Sequence, residues 1–171
     1  MIGLDHLCAH VIPPAPSAPQ RLSIHGQILD GSGAPVPDAV LEFWQADAGG
    51  RYLSSGTSSG SKAVPGFARI ATDDRGAFCV DTVKPGPVAG PGGQLQAPHI
   101  VVLIFMRGLL LHLATRIYFP GEPGNAVDPI LVLVPEERQS TIIAKADLQD
   151  PHQYEWNVIL QGKDETVFFT W

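Results

Sequence analysis

The chain has 171 residues, enough for one globular domain with a real core, and its 44% hydrophobic and 16% charged content excludes a disordered bulk. A formal net charge of -6 argues against nucleic acid as a partner, because phosphate binding requires a basic face. The 18 Gly and 16 Pro suit many short strands joined by tight turns, and the apolar run "IVVLIFM" is of strand length, closed by Arg107, not a membrane span.

Residues 1–20 are rich in Pro and Ala without clean periodicity, which predicts an arm lying on something rather than a free-standing element. Asp5 comes early and no basic region precedes an apolar stretch, so this start does not read as a signal peptide. Cys8 and Cys79 are too few and too far apart to suggest a disulfide framework. A reduced, cytoplasmic setting is therefore the expectation, with Cys79 an inert core thiol. The donors of "DHLCAH" (Asp5, His6, Cys8, His10) lie within six residues and lack a second donor pair, which makes them a poor zinc site.

From Arg21, "RLSIHGQIL" places Leu22, Ile24, Gly26 and Ile28 on one face at period two, a half-buried strand. "DGSGAPVPD" supplies turn chemistry, and "AVLEFWQAD" is the next strand, ended by the turn "AGGR" before Tyr52. "YLSSGTSSGSKAVPG" reads as a polar loop, and "FARIATD" and "AFCVDTV" flank "DRG" as a hairpin. "KPGPVAGPGGQLQAP" is expected to be loop throughout, delivering the chain to His99.

"HIVVLIFMR" and "LLLHLATRIYF" are long apolar strands broken at Gly108. A long turn, "PGEPGNAVDP", and a short helical turn at "PEERQS" follow. "STIIAKA", "YEWNVIL" and "ETVFFTW" are predicted as three closing strands. The pattern predicts an all-β fold, a two-sheet β-sandwich over 21–171 with an N-terminal arm over 1–20.

Read from the residues alone, His99 at the mouth of an apolar strand is a structural histidine, because a metal site needs several donors converging from separate segments. Arg116 has apolar flanks and is either a solvated edge charge or a buried pocket residue. Arg51, Glu42 and Asp47 read as turn and face residues, and Trp44 as core.

Five segments, in one unbroken order, then carry a resemblance: "GQILDGSGAPVPDAVLEFWQADAGGRY", "TVKPGPV", "APHIVVLIF", "TRIYFPGEPGNAVDP" and "LQGKDETVFF". Together they resemble the intradiol ring-cleavage dioxygenases, and ordered motifs are more specific than any single one. The family cleaves catechol-type substrates with a non-haem Fe(III) held by two tyrosines and two histidines. Phenolates are hard anionic donors suited to that ion. The resemblance places the first tyrosine at Tyr52 and the first histidine at His99, but Val88 and Val101 stand where the second of each belongs.

Valine has no donor atom, so the resemblance implies no metal and no catalytic residue in this chain, and a vestigial pocket of Tyr52, Val88, His99, Val101 and Arg116. Iron-binding members carry a basic residue where this chain has Gln96, and commonly glutamine where it has Arg116. A hydrogen bond between Tyr52 and His99 is expected as a relic of the site. The same resemblance implies a heteromeric enzyme in which a homologous iron-binding β subunit carries Fe(III), with further αβ units and substrate at the shared site. This chain would be the non-catalytic α-type subunit. Read alone, "GQILDGSGAPVPDAVLEFW" also resembles carboxypeptidase-regulatory-like β-sandwiches, binding or structural modules without chemistry, an alternative against which "QGKDETVFF" weighs.

Overall fold

The computed structural model describes residues 8–10, 20–52 and 66–170, and within them the regular structure is mostly strand. These are β1 (Cys8–His10), β2 (Arg21–Leu29), β3 (Val40–Gln45), β4 (Phe67–Ala71), β5 (Ala77–Val83), β6 (Val88–Ala89) and β7 (Leu95–Gln96). β8 (His99–Phe105), β9 (Leu113–Tyr118), β10 (Lys145–Ala146), β11 (Gln153–Glu155) and β12 (Val158–Ile159) complete them, with short 3-10 turns at Pro91–Gly93, Pro123–Val127 and Leu131–Leu133 and one α-helical turn, α1 (Glu136–Gln139), before β10. One sheet runs β1-β5-β2-β11-β10 with β12 also on β2, a second runs β4-β3-β8-β9, and β6 pairs only with β7.

The period-two reading of β2 holds: Leu22, Ile24 and Ile28 are buried. They meet Leu41, Phe43, Ile100, Val102, Ile104 and Ile117 from the second sheet in one core. Phe43 and Phe78 bridge the layers with ring centroids 5.9 Å apart. The apolar β8 is two-faced, with Ile100, Val102 and Ile104 fully buried inward and Val101 and Leu103 half-buried outward. Segment 119–144 covers the outer side of β9 and forms a satellite core of Tyr118, Leu131, Val134 and Ile142 with Ala97.

Several expectations are corrected. "FARIATD" and "AFCVDTV" are not a hairpin, for β4 pairs with β3 and β5 with β2, so the turn at 72–76 carries the chain from one sheet to the other. Thr72 anchors that crossing by donating to the Val36 carbonyl, and Asp73 caps the turn through the amides of Arg75 and Ala77. "KPGPVAGPGGQLQAP" is not all loop, since it contains the β6–β7 pair. The closing strands are short, and "ETVFFTW" contributes an isolated bridge, Phe169 to Ala114, in place of a strand. Trp44 lies on the outer face, 42% exposed, tilted against Phe67.

Cys79 is disulfide-bonded rather than a free core thiol, and the backbone register sets Cys8 opposite it where β1 runs parallel to β5. Distance along the chain does not measure distance across a sheet. The donors Asp5 and His6, and the loop over 53–65, lie outside the described residues. Among those residues no helix is long and apolar enough to cross a membrane.

Gly26 is a point of close approach, because a Cβ there would lie 1.8 Å from the Trp156 carbonyl oxygen. Gly26→Ala must push the backbone at Trp156 away from β2, where Trp156 donates to the His25 carbonyl. The expected loss is about 3 kcal/mol, read as a lower urea midpoint; a loss below about 1 kcal/mol would show that the sheet can spread without penalty.

Candidate functional site

The site lies on the outer face of the second sheet, where β8 and β9 meet the loop that precedes them. The turn 47–51 brings in Tyr52. Asp47 is a turn residue, as read, and it is buried, its Oδ1 accepting from the amides of Gly49 (2.8 Å) and Arg51 (2.9 Å). Burial pushes this carboxyl up, but those amides and the Arg51 guanidinium outweigh it and hold it below the usual carboxylate range. Gly50 has φ +76, and a Cβ there would meet the Pro87 carbonyl oxygen at 1.9 Å. The Gly86 amide donates to the Asp47 carbonyl at 2.9 Å. The turn leading to Tyr52 is thus seated directly on the segment leading to Val88.

Glu42 is also buried, paired with Arg69 from β4. Val88 is buried and stands opposite Gln96 in the β6–β7 pair. Antiparallel register then sets His99 beside Tyr118 and Val101 beside Arg116. His99 is 2% exposed, and its Nδ1 lies 2.8 Å from the Ala97 carbonyl oxygen. A carbonyl only accepts, so Nδ1 carries the proton and Nε2 the lone pair. The hydrogen bond expected between Tyr52 and His99 is not formed among the described residues; the His99 ring instead faces Tyr118, with centroids 5.8 Å apart.

Arg116 is the hub. It is 7% exposed, not a solvated edge charge. Its Nη1 donates to Gln96 Oε1 at 2.7 Å and to the Tyr118 hydroxyl at 3.3 Å. That hydroxyl in turn donates to Asp128 Oδ1 at 3.1 Å. Asp128, fully buried, also accepts from the amides of Ala97 (2.7 Å), Ile130 (2.9 Å) and Leu131 (2.8 Å). Tyr118, Asp128 and the role of Gln96 were missed from sequence. The available signal was "DP" before "ILVL", an Asp placed to cap a turn through the following amides.

The electrostatics follow from this hub. Burial, reinforced by the charge of Arg116, holds His99 below the ordinary histidine range, so it is neutral. Burial pushes Tyr118 far above the ordinary phenol range. Burial raises Tyr52 against the opposing pull of Arg116. Both phenols stay protonated at neutral pH.

Because the folded chain holds His99 below the ordinary histidine range, the unfolded chain takes up its proton at a higher pH, below about 6.5, than the folded chain does. Stability should therefore fall as pH drops from 7.5 to 5.5, by up to about 1.4 kcal/mol per pH unit from this residue. Urea unfolding of His99→Asn at both pH values should show the smaller pH dependence; an identical dependence would mean that His99 titrates alike in both states.

Register and hydrogen bonding link several of the vestigial-pocket residues to Arg116. Val88 faces Gln96, Gln96 holds Arg116, Val101 flanks Arg116, and the charge of Arg116 acts on both Tyr52 and His99. The donor set does not fit a catalytic iron. Two of the four positions are hydrocarbon, and a guanidinium among the other two opposes a second cation.

A family model described as dioxygenase matches residues 15–162. The chain is 46% identical over 155 residues to the protocatechuate 3,4-dioxygenase alpha chain of Burkholderia cepacia, covering 88% of this chain and 77% of that one. It is 31% identical over 174 residues to the protocatechuate 3,4-dioxygenase beta chain of the same organism, covering 95% and 74%. Among solved structures, the dioxygenase domain of a dioxygenase carbohydrate-binding protein fusion from Streptomyces sp. SirexAA-E superposes with a TM-score of 0.67. That match has 24% identity over 92% of this chain and 88% of the other, a likeness of fold.

Proposed function

We propose that this chain, which belongs to the intradiol ring-cleavage dioxygenase family, is the non-catalytic α-type subunit of a heteromeric protocatechuate 3,4-dioxygenase. A homologous β-type partner carries the Fe(III), binds the dihydroxybenzoate as a catecholate and opens its ring with O2 to 3-carboxy-cis,cis-muconate, both oxygen atoms entering the product. This chain supplies interface, pocket walls and assembly, with further αβ units completing the complex.

The observation that carries the reading is the donor set: Val88 and Val101 have no donor atoms, and the charge of the buried Arg116 acts on the remaining two candidates. Identity supports the α assignment over β, at 46% against 31% within one organism. Leu110 and Leu111 at the β8–β9 turn and Leu133 are 101%, 80% and 77% exposed, the kind of apolar surface that a partner chain covers.

The test is co-expression with a homologous chain carrying "KPGPY" and "AHIH". The expected result is a coloured complex with one iron per αβ pair, from tyrosinate-to-iron charge transfer, and a colourless isolated chain. An isolated chain that binds stoichiometric iron and cleaves protocatechuate would overturn the reading.

A further inference from the structure

We propose that the disulfide of Cys79 is a reversible redox latch that ties the N-terminal arm to the edge of the first sheet, with His25 as its proton carrier. Cys79 is disulfide-bonded, and the only other cysteine in the chain is Cys8. The bond therefore fastens β1, the outermost strand of its sheet, to β5.

The two strands depend on the bond very differently. β5 pairs with β2 over seven positions, from Arg21 opposite Val83 to Gln27 opposite Ala77, and Phe78 and Val80 on its inner face are buried in the core. Cys79 points the other way, half-buried on the outer face. β1 is three residues long, and a ladder that short gains few hydrogen bonds against the entropy of ordering the residues that make it. The covalent link holds those residues at high effective concentration beside β5. Opening it should free β1 and turn β5 into an edge strand while the sandwich stays intact.

The setting of Cys79 suits exchange. Antiparallel register puts His25 directly opposite it, also half-buried on the outer face. Cross-strand pairs have Cβ atoms about 5 Å apart, within reach of an imidazole for a thiol. The same face carries Asp81, hydrogen-bonded to Ser23, and Glu155 beside His25 on β11. A small thiol of the glutathione class attacks the Cys8 sulfur as its thiolate, the S–S bond breaks, and Cys79 leaves as a thiolate that takes a proton through His25. A second such thiol attacks the mixed disulfide, releases Cys8 as a thiol and departs with the first as glutathione disulfide. Two small thiols are oxidised, the protein disulfide is reduced to two thiols, and closing is the reverse.

The test uses the isolated full-length chain, so its outcome is separate from that of the proposed function. Mixtures of glutathione and glutathione disulfide set the poise, alkylation with mass spectrometry reads the bond, and hydrogen exchange reads the strands. The expected result is full, reversible opening with a cooperative melting transition retained. Exchange over 8–10 and 77–83 should rise at least tenfold on opening, with none over β3, β8 and β9. Cys8→Ser should show the fast exchange under both conditions. His25→Gln should slow opening and closing at least tenfold at an unchanged midpoint ratio. Loss of the fold on reduction or in Cys8→Ser, a bond that does not form or that glutathione cannot open, or exchange unaltered by opening would each overturn the latch. Equal rates in wild type and His25→Gln would overturn the role of His25.

Discussion

Asp128→Ala should lower the melting temperature by about 10 °C, the largest single effect on stability expected in this chain. The carboxylate is fully buried and accepts four hydrogen bonds, from the Ala97, Ile130 and Leu131 amides and the Tyr118 hydroxyl. Alanine leaves four buried donors without acceptors, which at the usual cost of broken buried networks amounts to about 3–5 kcal/mol. Asp128→Asn should fall between, since its carbonyl can keep one side of the network while its amide group meets N–H donors on the other. Tyr118→Phe removes two bonds, one accepted from Arg116 and one donated to Asp128, and should cost about 2 kcal/mol. Calorimetric melting of the three variants gives the order; a loss below about 1 kcal/mol for Asp128→Ala would mean that water satisfies the donors instead.

The second large effect is constructive. Val88→Tyr with Val101→His restores four donors, yet this double variant should remain colourless and bind iron only at background. The reason is Arg116, whose charge already acts on Tyr52 and His99. Two unit charges about 5 Å apart at an effective dielectric of 20 repel by about 3 kcal/mol, roughly a hundredfold in affinity. Adding Arg116→Gln removes that repulsion, and the triple variant should bind near-stoichiometric iron and show a visible charge-transfer band. Iron analysis and absorption spectra of the two variants provide the measurement. Equal iron in both would show that the guanidinium does not guard the pocket.

The long elements were legible because their patterns reflect burial directly. β2, β8 and β9 each carry an apolar face that only a facing sheet can cover, and the Pro and Gly between them mark where the chain must turn. The β4–β5 connection was misread because "DRG" specifies a turn and not the partner of the strands beside it. The closing segments have strand-like composition but are held by the satellite core and single bridges, so their ladders stay short. Trp44 reads as core from sequence, whereas its position on the alternating face of β3 decides its exposure. The sequence motifs marked the pocket positions, but not what fills the place of the missing donors. Burial of Arg116, its bond to Gln96 and its link through Tyr118 to Asp128 depend on segments that meet only after folding.

The Gln96–Arg116 hydrogen bond carries a consequence for how such a chain changes over time. The resemblance implies, for iron-binding members, a basic residue on the loop and commonly a glutamine on the strand, the reverse of Gln96 and Arg116 here. Reverting either position alone gives two guanidiniums side by side in a buried pocket, or two amides with no cation between them. The first is penalised by like-charge repulsion and the second leaves Tyr118 without its donor. Either single exchange therefore carries a penalty that exchanging both together avoids.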